Sequence, residues 1–242
     1  MTELPQEVPV ALVYNGSTQA VMMATPADLE DFGRGFTRTE GIARGAELER
    51  LEVLDHPRGV EVRIWLAEAA EARLAARRRA MAGPVGCGLC GIDSLEEALR
   101  DVPAVGPGIR LGAADIAAAL AALRDAQPLH DRTRAVHAAG FFVPGQGLVA
   151  VREDVGRHNA LDKLIGAVGE CSRGAIVLTS RVSVEMVQKA AMAGAGVVIA
   201  VSAPTTLAVE TADRAGITLV ARARDDRFDT FTHAERITAD AA

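Results

Sequence analysis

Two cysteines separated by two residues form the most reactive pattern in the chain, Gly83-Pro-Val-Gly-Cys87-Gly-Leu-Cys90-Gly. Two thiols at this spacing can lie close together, and the surrounding glycines let the backbone bring a thiol to different partners. Arginines stand at 77–79, and a capping-box pattern at 94–97 predicts a helix whose amino-terminal dipole faces the loop. Both features favour the thiolate, which is the nucleophilic form of cysteine. The pattern indicates thiol chemistry or metal binding.

Other interpretations of the cysteine pair are less well supported. A structural zinc site normally has a second Cys-x-x-Cys or a pair of histidines, whereas the one other cysteine is the distant Cys171. A thioredoxin-like redox pair directly follows a strand and opens a long helix, whereas this pair lies in a predicted loop. An inert buried pair is disfavoured among so many glycines. We therefore predict no metal site.

A second concentration of polar residues is Arg152-Glu-Asp-Val-Gly-Arg-His-Asn-Ala-Leu-Asp-Lys163, between a predicted strand and a predicted helix. Ligands of α/β sheets bind at the carboxyl ends of strands, so Arg157 and His158 are candidate contacts for an anion. In the competing interpretation, Asn159 is only a helix cap, and Asp162 and Lys163 form a solvated ion pair.

Three further loops, 179–183, 202–206 and 222–228, follow later predicted strands and carry hydroxyl and guanidinium groups. Such groups at helix amino termini suit phosphate or carboxylate ligands, and a pair of aspartates can accept hydrogen bonds from a guanine. Ser and Thr are also ordinary helix caps, so the prediction of a nucleotide-like ligand depends on the three loops together. The candidate contacts are Ser180, Arg181, Ser202, Thr205, Ala223, Arg224, Asp225, Asp226, Arg227 and Phe228.

The elements that must position these groups are predicted from periodicity and turn signals. Asn15-Gly16 predicts a hairpin over 8–23, and Thr25-Pro26 predicts the cap and first residue of a helix that ends near Gly41. Alternation over 60–66 predicts a strand, while 68–81 and 115–129 predict helices. Strands and helices then alternate, which predicts an α/β layer fold with a largely parallel sheet. The later strands are predicted at 136–143, 148–152, 175–179, 196–201 and 217–221, and the later helices at 158–169, 183–194 and 205–215.

This pattern divides the chain into three predicted parts. An α+β portion covers 1–82, a flexible loop and connection with the cysteine pair covers 83–112, and an α/β cofactor-binding core covers 113–242. Isolated reactive side chains are weaker candidates. His56, His130 and His233 are predicted to be surface or turn residues, and Cys171 is predicted to be a bystander.

Composition excludes several classes of function. The 242 residues carry a formal charge of −6, so there is no global basic field of the kind a general nucleic-acid binder has. Aromatic residues make up 3%, too few for a base-stacking platform. The amino terminus lacks the features of a secretory signal, and the longest apolar stretch, 190–201, is too short to span a bilayer. With three cysteines and no disulfide pattern, we predict a cytoplasmic protein without membrane or nucleic-acid partners.

The chain resembles a known family over nearly its whole length. The strings that carry the resemblance are GCGLCG at 86–91, REDVGRHNALDKLIG at 152–166, SRVSVEMVQKAA at 180–191, VSAPTTLAVE at 201–210 and THAERI at 232–237. EVPVALVYNG and TPADLEDFGRGFTRTEG near the amino terminus are similar to the family too. The resemblance is to the formate dehydrogenase accessory sulfurtransferase family, FdhD.

This resemblance implies a cytidine-deaminase-like α/β fold with helices on both faces of the sheet, a homodimer and a sulfur relay. A cysteine desulfurase would pass persulfide sulfur to the first cysteine of the motif, here Cys87, with Cys90 as the second. The sulfur would then go to the molybdenum cofactor, bis-molybdopterin guanine dinucleotide, before its insertion into formate dehydrogenase. The guanine-dinucleotide segment falls on 223–228, and GDP would serve as a mimic of the bound cofactor.

The chain departs from the family in two places, and two other functions compete with the relay. Asp225-Asp226 stands where the family usually has a Gly-containing turn, and Ala200-Val201 stands where it often has Ser-Arg. A deaminase needs a His-x-Glu and a downstream Pro-Cys-x-x-Cys, whereas His137-Ala-Ala lacks the glutamate and follows the cysteine pair. The alternative to a sulfurtransferase is a non-catalytic chaperone for the molybdenum cofactor, with a structural or zinc-binding Cys-x-x-Cys.

Overall fold

A four-stranded sheet and a six-stranded sheet organise the molecule. The computed structural model describes residues 3–81, 102–224 and 227–238. Cys87 and Cys90 therefore lie outside the described residues, as do Asp225 and Asp226. Within the described ranges the fold is a mixed α/β arrangement, in agreement with the predicted class.

The amino-terminal sheet has the strand order β2-β1-β4-β3. Its strands are β1 (Val8–Tyr14), β2 (Ser17–Ala24), β3 (Leu48–His56) and β4 (Gly59–Leu66). Asn15 and Gly16 both have positive φ, 45° and 82°, as a two-residue type I′ turn requires, so the predicted hairpin is confirmed. Val62, Ile64 and Leu66 are buried on one face of β4, which confirms the predicted alternation.

Two helices complete this part of the chain, α1 (Leu29–Thr39) and α2 (Glu68–Met81). Helix α2 has the predicted bounds, but α1 begins later than predicted, after Asp28 in the left-handed region (φ 54°). The cause is tertiary, because Thr25 is bonded to another strand and does not cap the helix. Its N–H donates to the Asp154 carboxylate (3.0 Å), and its hydroxyl accepts the N–H of Val155 (3.1 Å).

The core sheet has the strand order β11-β10-β9-β8-β6-β7, and a separate two-stranded ladder joins β5 to β12. The strands are β5 (Leu111–Gly112), β6 (His137–Val143), β7 (Gly147–Asp154), β8 (Ala175–Leu178), β9 (Val197–Ala200), β10 (Thr218–Arg224), β11 (Arg227–Thr230) and β12 (Ile237–Thr238). Strands β8, β9 and β10 are parallel, whereas β6 is antiparallel to both neighbours and β11 is antiparallel to β10. The predicted largely parallel sheet is therefore corrected to a mixed one. A short turn with positive φ at Gly145 and Gly147 joins β6 to β7, and so tight a connection requires antiparallel strands.

Helices cover both faces of the core sheet, as predicted. Helix α3 (Ala113–Asp125), followed by α4 (Pro128–Thr133), lies on one face, and α5 (Arg157–Val168), α6 (Val184–Met192) and α7 (Thr206–Ala215) lie on the other. The single helix predicted over 115–129 is divided. Pro128 has no N–H for an interior hydrogen bond, and it occupies the first turn of α4 instead.

Helices α1 and α5 join the two sheets, and their backbones touch. A Cβ on Gly35 of α1 would collide with the Asp162 carbonyl oxygen, and one on Gly166 of α5 would collide with that of Asp31. Only glycine permits this approach at both positions. The amino-terminal part is thereby fixed on the helix that follows the 152–163 segment.

The predicted division into 1–82, 83–112 and 113–242 stays a prediction. In the part of the chain that the structure describes, no helix has both the length and the apolar character needed to cross a membrane.

Candidate functional site

Four strands of the core sheet end at one edge. Strands β7, β8, β9 and β10 run in the same direction, so their last residues, Asp154, Leu178, Ala200 and Arg224, lie along this edge. Strand β6 runs in the opposite direction and places its first residue, His137, opposite Asp154. The structure thus brings together the four predicted ligand loops, at the position where open α/β sheets bind ligands.

A cavity of about 750 Å³ lies beside this edge, next to α3 and α4. Leu120, Leu123 and Val201 contribute an apolar wall. Among the described residues, the titratable side chains of the lining are all basic: Arg124, His130, Arg134, His137 and Arg224. In a chain with a net charge of −6, this is a local concentration of positive potential. The volume and the mixed lining suit a small anionic molecule with an apolar face.

His137 supplies a neutral imidazole to this cavity at neutral pH. Burial lowers the pKa of its ring below the ordinary 6.5, and the charge of Arg157 lowers it further, against the opposing effect of Asp154. A neutral imidazole can donate or accept a hydrogen bond, and it can take up a proton when an anion binds beside it.

Helix α4 supplies His130 to the cavity, and the residue that follows the helix, Arg134, supplies a second basic side chain. The first turn of α4 is held from strand β7, where Glu153 accepts the N–H groups of Leu129 (2.8 Å) and His130 (2.7 Å). His130, which the sequence predicts to be a surface or turn residue, is half-buried in a helix and lines the cavity.

Most polar side chains of the 152–163 segment are bonded inside the protein. Asp154 and Lys163 are both 0% exposed, with Lys163 Nζ 2.6 Å from Asp154 Oδ2. The other Asp154 oxygen accepts the Gly156 N–H (2.7 Å) and the Asn159 side-chain amide (3.0 Å). Gly156, not Asn159, occupies the cap position of α5. The interpretation of Asn159 as a helix cap is therefore wrong.

Asp162 belongs to a second buried network, apart from Lys163. Lys189 Nζ donates to both Asp162 oxygens (3.0 and 2.9 Å), to Glu40 (2.7 Å) and to the Thr39 hydroxyl (3.0 Å). Burial alone would lower the pKa of Lys189, but the charges of Asp162 and Glu40 raise it above 10.5 and keep the ammonium protonated. The solvated Asp162–Lys163 pair is therefore wrong as well.

Arg157 and His158 are the members of the segment that retain bonding capacity. Arg157 Nε and His158 Nε2 are shielded from solvent and have no hydrogen-bond partner in the described ranges. The Glu185 carboxylate lies 3.7 Å from His158 Nε2, beyond hydrogen-bond distance. Burial lowers the pKa of His158, and the charges of Arg157 and Lys189 lower it further.

The hydroxyl candidates of the next two loops are partly used by their own loops. Ser180 is buried and donates to the Arg181 carbonyl (3.0 Å), and Thr205 caps α7 by accepting the Ala208 N–H (3.2 Å). The Arg181 side chain is exposed and Ser202 is half-buried. Arg181 and Ser202 therefore remain the more open of the four candidates.

The last predicted loop is divided by the sheet. Ala223 and Arg224 line the cavity. Arg227 is exposed at the start of β11, where it pairs with Arg224 in the ladder. Phe228 packs against the apolar core on the α3 side of the sheet. Asp225 and Asp226, predicted to contact a guanine, lie outside the described residues.

Comparison with known proteins decides the family. The sequence profile of the FdhD/NarQ family matches residues 5–238. The chain belongs to this family. A protein from Agrobacterium fabrum, named Sulfur carrier protein FdhD, is 57% identical over 240 residues, which cover 97% of this chain and 89% of the relative. A protein of the same name from Bordetella petrii is 45% identical over 237 residues, 96% of this chain and 85% of the relative.

A solved structure has the same architecture. The crystal structure of a formate dehydrogenase accessory protein from Desulfotalea psychrophila matches with a TM-score of 0.77 and 29% identity. The match covers 97% of this chain and 90% of that one. The predicted resemblance to FdhD is confirmed.

Within this FdhD/NarQ family member, four basic residues of the cavity were not predicted from the sequence as ligand contacts: Arg124, His130, Arg134 and His137. They lie in a short basic stretch, 124–137, that ends where β6 begins. The antiparallel direction of β6 brings His137 to the ligand edge, and a sequence that alternates strands and helices does not reveal it. A single signal was available, which is the density of Arg and His just before a buried strand.

Cys171 is not part of this site. It is 0% exposed, and burial raises the pKa of its thiol to about 12, so it is a thiol and not a thiolate at neutral pH. In the described ranges no group of three or more His, Cys, Asp and Glu side chains is arranged to hold a metal ion.

Proposed function

We propose that the chain is a sulfur carrier that serves the maturation of formate dehydrogenase. It takes sulfur from a persulfide on a cysteine desulfurase and transfers it to the molybdenum cofactor, in the bis-molybdopterin guanine dinucleotide form, before the cofactor enters formate dehydrogenase. The names of the relatives support the carrier role, and the likeness to a formate dehydrogenase accessory protein supports the link to that enzyme. The observation that carries the cofactor part is the basic cavity at the ligand edge of the sheet.

Loading is a thiol exchange at Cys87. Its thiolate attacks the outer sulfur of the donor persulfide, and a new S–S bond forms on Cys87. The S–S bond of the donor breaks, and the donor cysteine leaves as a thiolate that takes up the proton lost by Cys87. No net oxidation occurs, because one persulfide replaces another.

Cys90 provides a way to release the sulfur. Its thiolate can attack the inner sulfur of the Cys87 persulfide, which expels hydrosulfide and leaves a Cys87–Cys90 disulfide. The two cysteines supply the two electrons that convert sulfane sulfur to sulfide, and an external thiol must later reduce the disulfide. The spacing of the pair suits this reaction, since two intervening residues keep the thiols within reach.

The nucleotide end of the cofactor fits the cavity by charge and shape. Phosphates suit the basic lining, and a flat base suits the apolar wall. Arg181 and Ser202 follow β8 and β9 at the same edge of the sheet, and Arg224 lines the cavity itself. We expect GDP to bind here as a mimic of one half of the cofactor.

Three broader features complete the proposal. We assign the layered core to the cytidine-deaminase-like folds, since a mixed sheet with helices on both faces supports it. We expect a homodimer in the cytoplasm. Sedimentation of the purified protein tests the dimer, and a monomer at micromolar concentration would contradict it.

Mass spectrometry after incubation with a cysteine desulfurase and cysteine tests the relay. The wild type and Cys171→Ala should gain about 32 Da, the mass of one sulfur on a persulfide, and Cys87→Ala should not. Cys90→Ala should load but should fail to release sulfide. An equal gain by Cys87→Ala would overturn the assignment of Cys87. Active formate dehydrogenase in cells with Cys87→Ala/Cys90→Ala, or one equivalent of zinc in the purified protein, would support a cofactor chaperone instead.

A further inference from the structure

We propose that Glu153 is a positioning residue, which holds helix α4 beside the ligand cavity and thereby places His130 and the following residue, Arg134. The proposal deepens the proposed function and depends on it, because it assumes that the cavity binds a phosphate-bearing nucleotide. It also separates Glu153 from the chemistry of sulfur transfer. Three features of the molecule carry it: how α4 is held, what α4 presents to the cavity, and the fixed strand from which Glu153 extends.

Helix α4 has few restraints of its own. It has six residues, too few to be stable alone, and its cap residue, Gln127, makes no side-chain cap hydrogen bond. The N–H groups of its first turn therefore need acceptors from elsewhere. Glu153 provides both oxygens, at 2.8 Å to Leu129 N and 2.7 Å to His130 N. A carboxylate that receives two N–H groups at a helix amino terminus also interacts favourably with the helix dipole.

The other contacts of α4 are weaker. Arg132 forms an ion pair with Glu3 at 3.3 Å, but both side chains are more than half exposed, and such pairs contribute little. The Glu3 N–H also donates to the Arg132 carbonyl, at 3.2 Å, which is longer than either bond to Glu153. The Thr133 hydroxyl donates to the Leu129 carbonyl inside the helix, so it does not fix α4 on the sheet. Glu153 is therefore the main polar attachment of α4 among the described contacts.

What α4 presents is the basic side of the cavity. His130 is in the helix and Arg134 is its C-cap residue (φ 53°), whose N–H donates to the His130 carbonyl, and both residues line the cavity. Glu153 does not line this cavity, and both of its oxygens are already bonded. Its contribution to an anionic ligand must therefore pass through α4, and it is not placed to act as an acid or a base.

Glu153 extends from a fixed strand. The next residue, Asp154, is held by the buried Lys163 and by the Thr25 N–H, and Ala138 of β6 lies opposite Glu153 in the sheet. The register of β7 thus sets the position of α4, and with it the distance from His130 and Arg134 to His137 at the sheet edge.

The test is the affinity of GDP, measured by calorimetry, in a double-mutant cycle. Glu153→Ala should weaken GDP binding on the order of tenfold, equivalent to one lost hydrogen bond to a charged group. Arg134→Ala should weaken it by a similar factor. The affinity of the double variant for GDP should lie within about twofold of the affinity of Arg134→Ala. The effects of residues that act through one another are not additive. Glu153→Gln, which keeps one acceptor oxygen, should lie between the wild type and Glu153→Ala.

Glu47→Gln is the control for a merely structural role. Glu47 also accepts a backbone N–H, from Arg44 at 2.9 Å, but in the amino-terminal part of the chain. The Glu47→Gln variant should have a changed melting temperature and an unchanged affinity for GDP. Circular dichroism should first show that Glu153→Ala and Glu153→Gln are folded. If both then bind GDP as the wild type does, while Arg134→Ala binds it more weakly, the positioning role is wrong and the assignment of the cavity as the nucleotide site stands. Additive losses would equally overturn it. If Arg134→Ala and Arg224→Ala also bind GDP normally, the cavity is not the nucleotide site. The positioning role of Glu153 and the cofactor part of the proposed function are then both wrong.

Discussion

Charged side chains have opposite surroundings in two regions of this molecule. Between the amino-terminal part and the core, Arg152, Lys163 and Lys189 each meet a carboxylate at 2.6–2.9 Å. Around the cavity, the described titratable side chains of the lining are basic, and no carboxylate is among them. In the first region, carboxylates of the same chain balance these three positive charges. The lining of the second favours an anionic ligand, because its described titratable side chains are all basic.

The 152–163 segment belongs to both regions, and this explains its density of polar residues. Arg152, Asp154 and Lys163 bond to residues 25–31 of the amino-terminal part. Arg157 and His158 lie beyond the turn, at the ligand edge, with nitrogens that lack partners among the described residues. A single strand-to-helix junction therefore connects the two parts of the fold and also contributes side chains to the ligand edge of the sheet. Substitutions on its two sides should affect different measurements.

The largest effect is expected from the joining region. Asp154→Ala removes the counter-charge of a lysine that is 0% exposed, and it also leaves the Gly156 and Thr25 N–H groups without an acceptor. Loss of one partner from a buried pair costs about 3–5 kcal/mol. Urea unfolding should show a loss of this size. The control is Glu61→Gln in the exposed pair with Arg63, where the loss should stay below about 1 kcal/mol. Equal losses would show that burial does not distinguish the pairs.

A smaller effect is expected where α1 crosses α5. Gly35→Ala inserts a methyl group against the Asp162 carbonyl, so the helices must separate, and overpacking of this kind costs about 1–3 kcal/mol. Gly106→Ala is the matched control, since a Cβ there meets nothing within 4 Å. The free energy of unfolding decides the case. Similar values for the two variants would mean that the backbones do not touch in solution.

Substitutions in the cavity should change the affinity for GDP and leave the stability of the fold nearly unchanged. Arg224→Gln should weaken GDP binding on the order of tenfold and change the free energy of unfolding by less than about 0.5 kcal/mol. Arg222→Gln is the control on the same strand, because Arg222 does not line the cavity and pairs with Asp229 at 2.6 Å. Calorimetry and urea unfolding of both variants separate the two effects. Loss of stability without loss of affinity in Arg224→Gln would remove the contrast between the regions.

The sequence predicts the elements of this fold well and their partners less well. The alternation of β4 and the turn at Asn15-Gly16 are local signals, and both appear as predicted. Thr25 has the local signals of a helix cap, yet its hydroxyl accepts the N–H of Val155, just after strand β7 and distant in the chain. Asp162 and Lys163 look like a neighbouring ion pair, but each binds a residue that the sequence does not place beside it. Pairing over long sequence separations depends on topology, which local patterns do not contain.

The candidate site shows the same limit. The loops after the later strands could be placed at one edge because parallel strands end together. His137, His130 and Arg134 could not be placed there from sequence. The direction of β6 and the attachment of α4 to Glu153 depend on tertiary structure.

The last and smallest effect is a pH dependence at His137, where stability and affinity should change in opposite directions. Burial and Arg157 hold the pKa of His137 below 6.5 in the folded protein, against Asp154, while His130 lowers it slightly. The unfolded chain therefore binds more protons at mildly acidic pH, so this contribution to stability is complete above about 6.5 and is lost as pH falls through the lowered pKa. A bound phosphate favours the protonated ring, so the contribution of His137 to GDP affinity should rise over the same range, by about two- to fivefold.

The difference in affinity between the wild type and His137→Gln from pH 8 to pH 5.5 isolates this contribution, because titration of the nucleotide itself is common to both. His56→Gln, at an exposed position, should follow the wild type. A constant ratio between wild type and His137→Gln would show that the imidazole does not meet the anion.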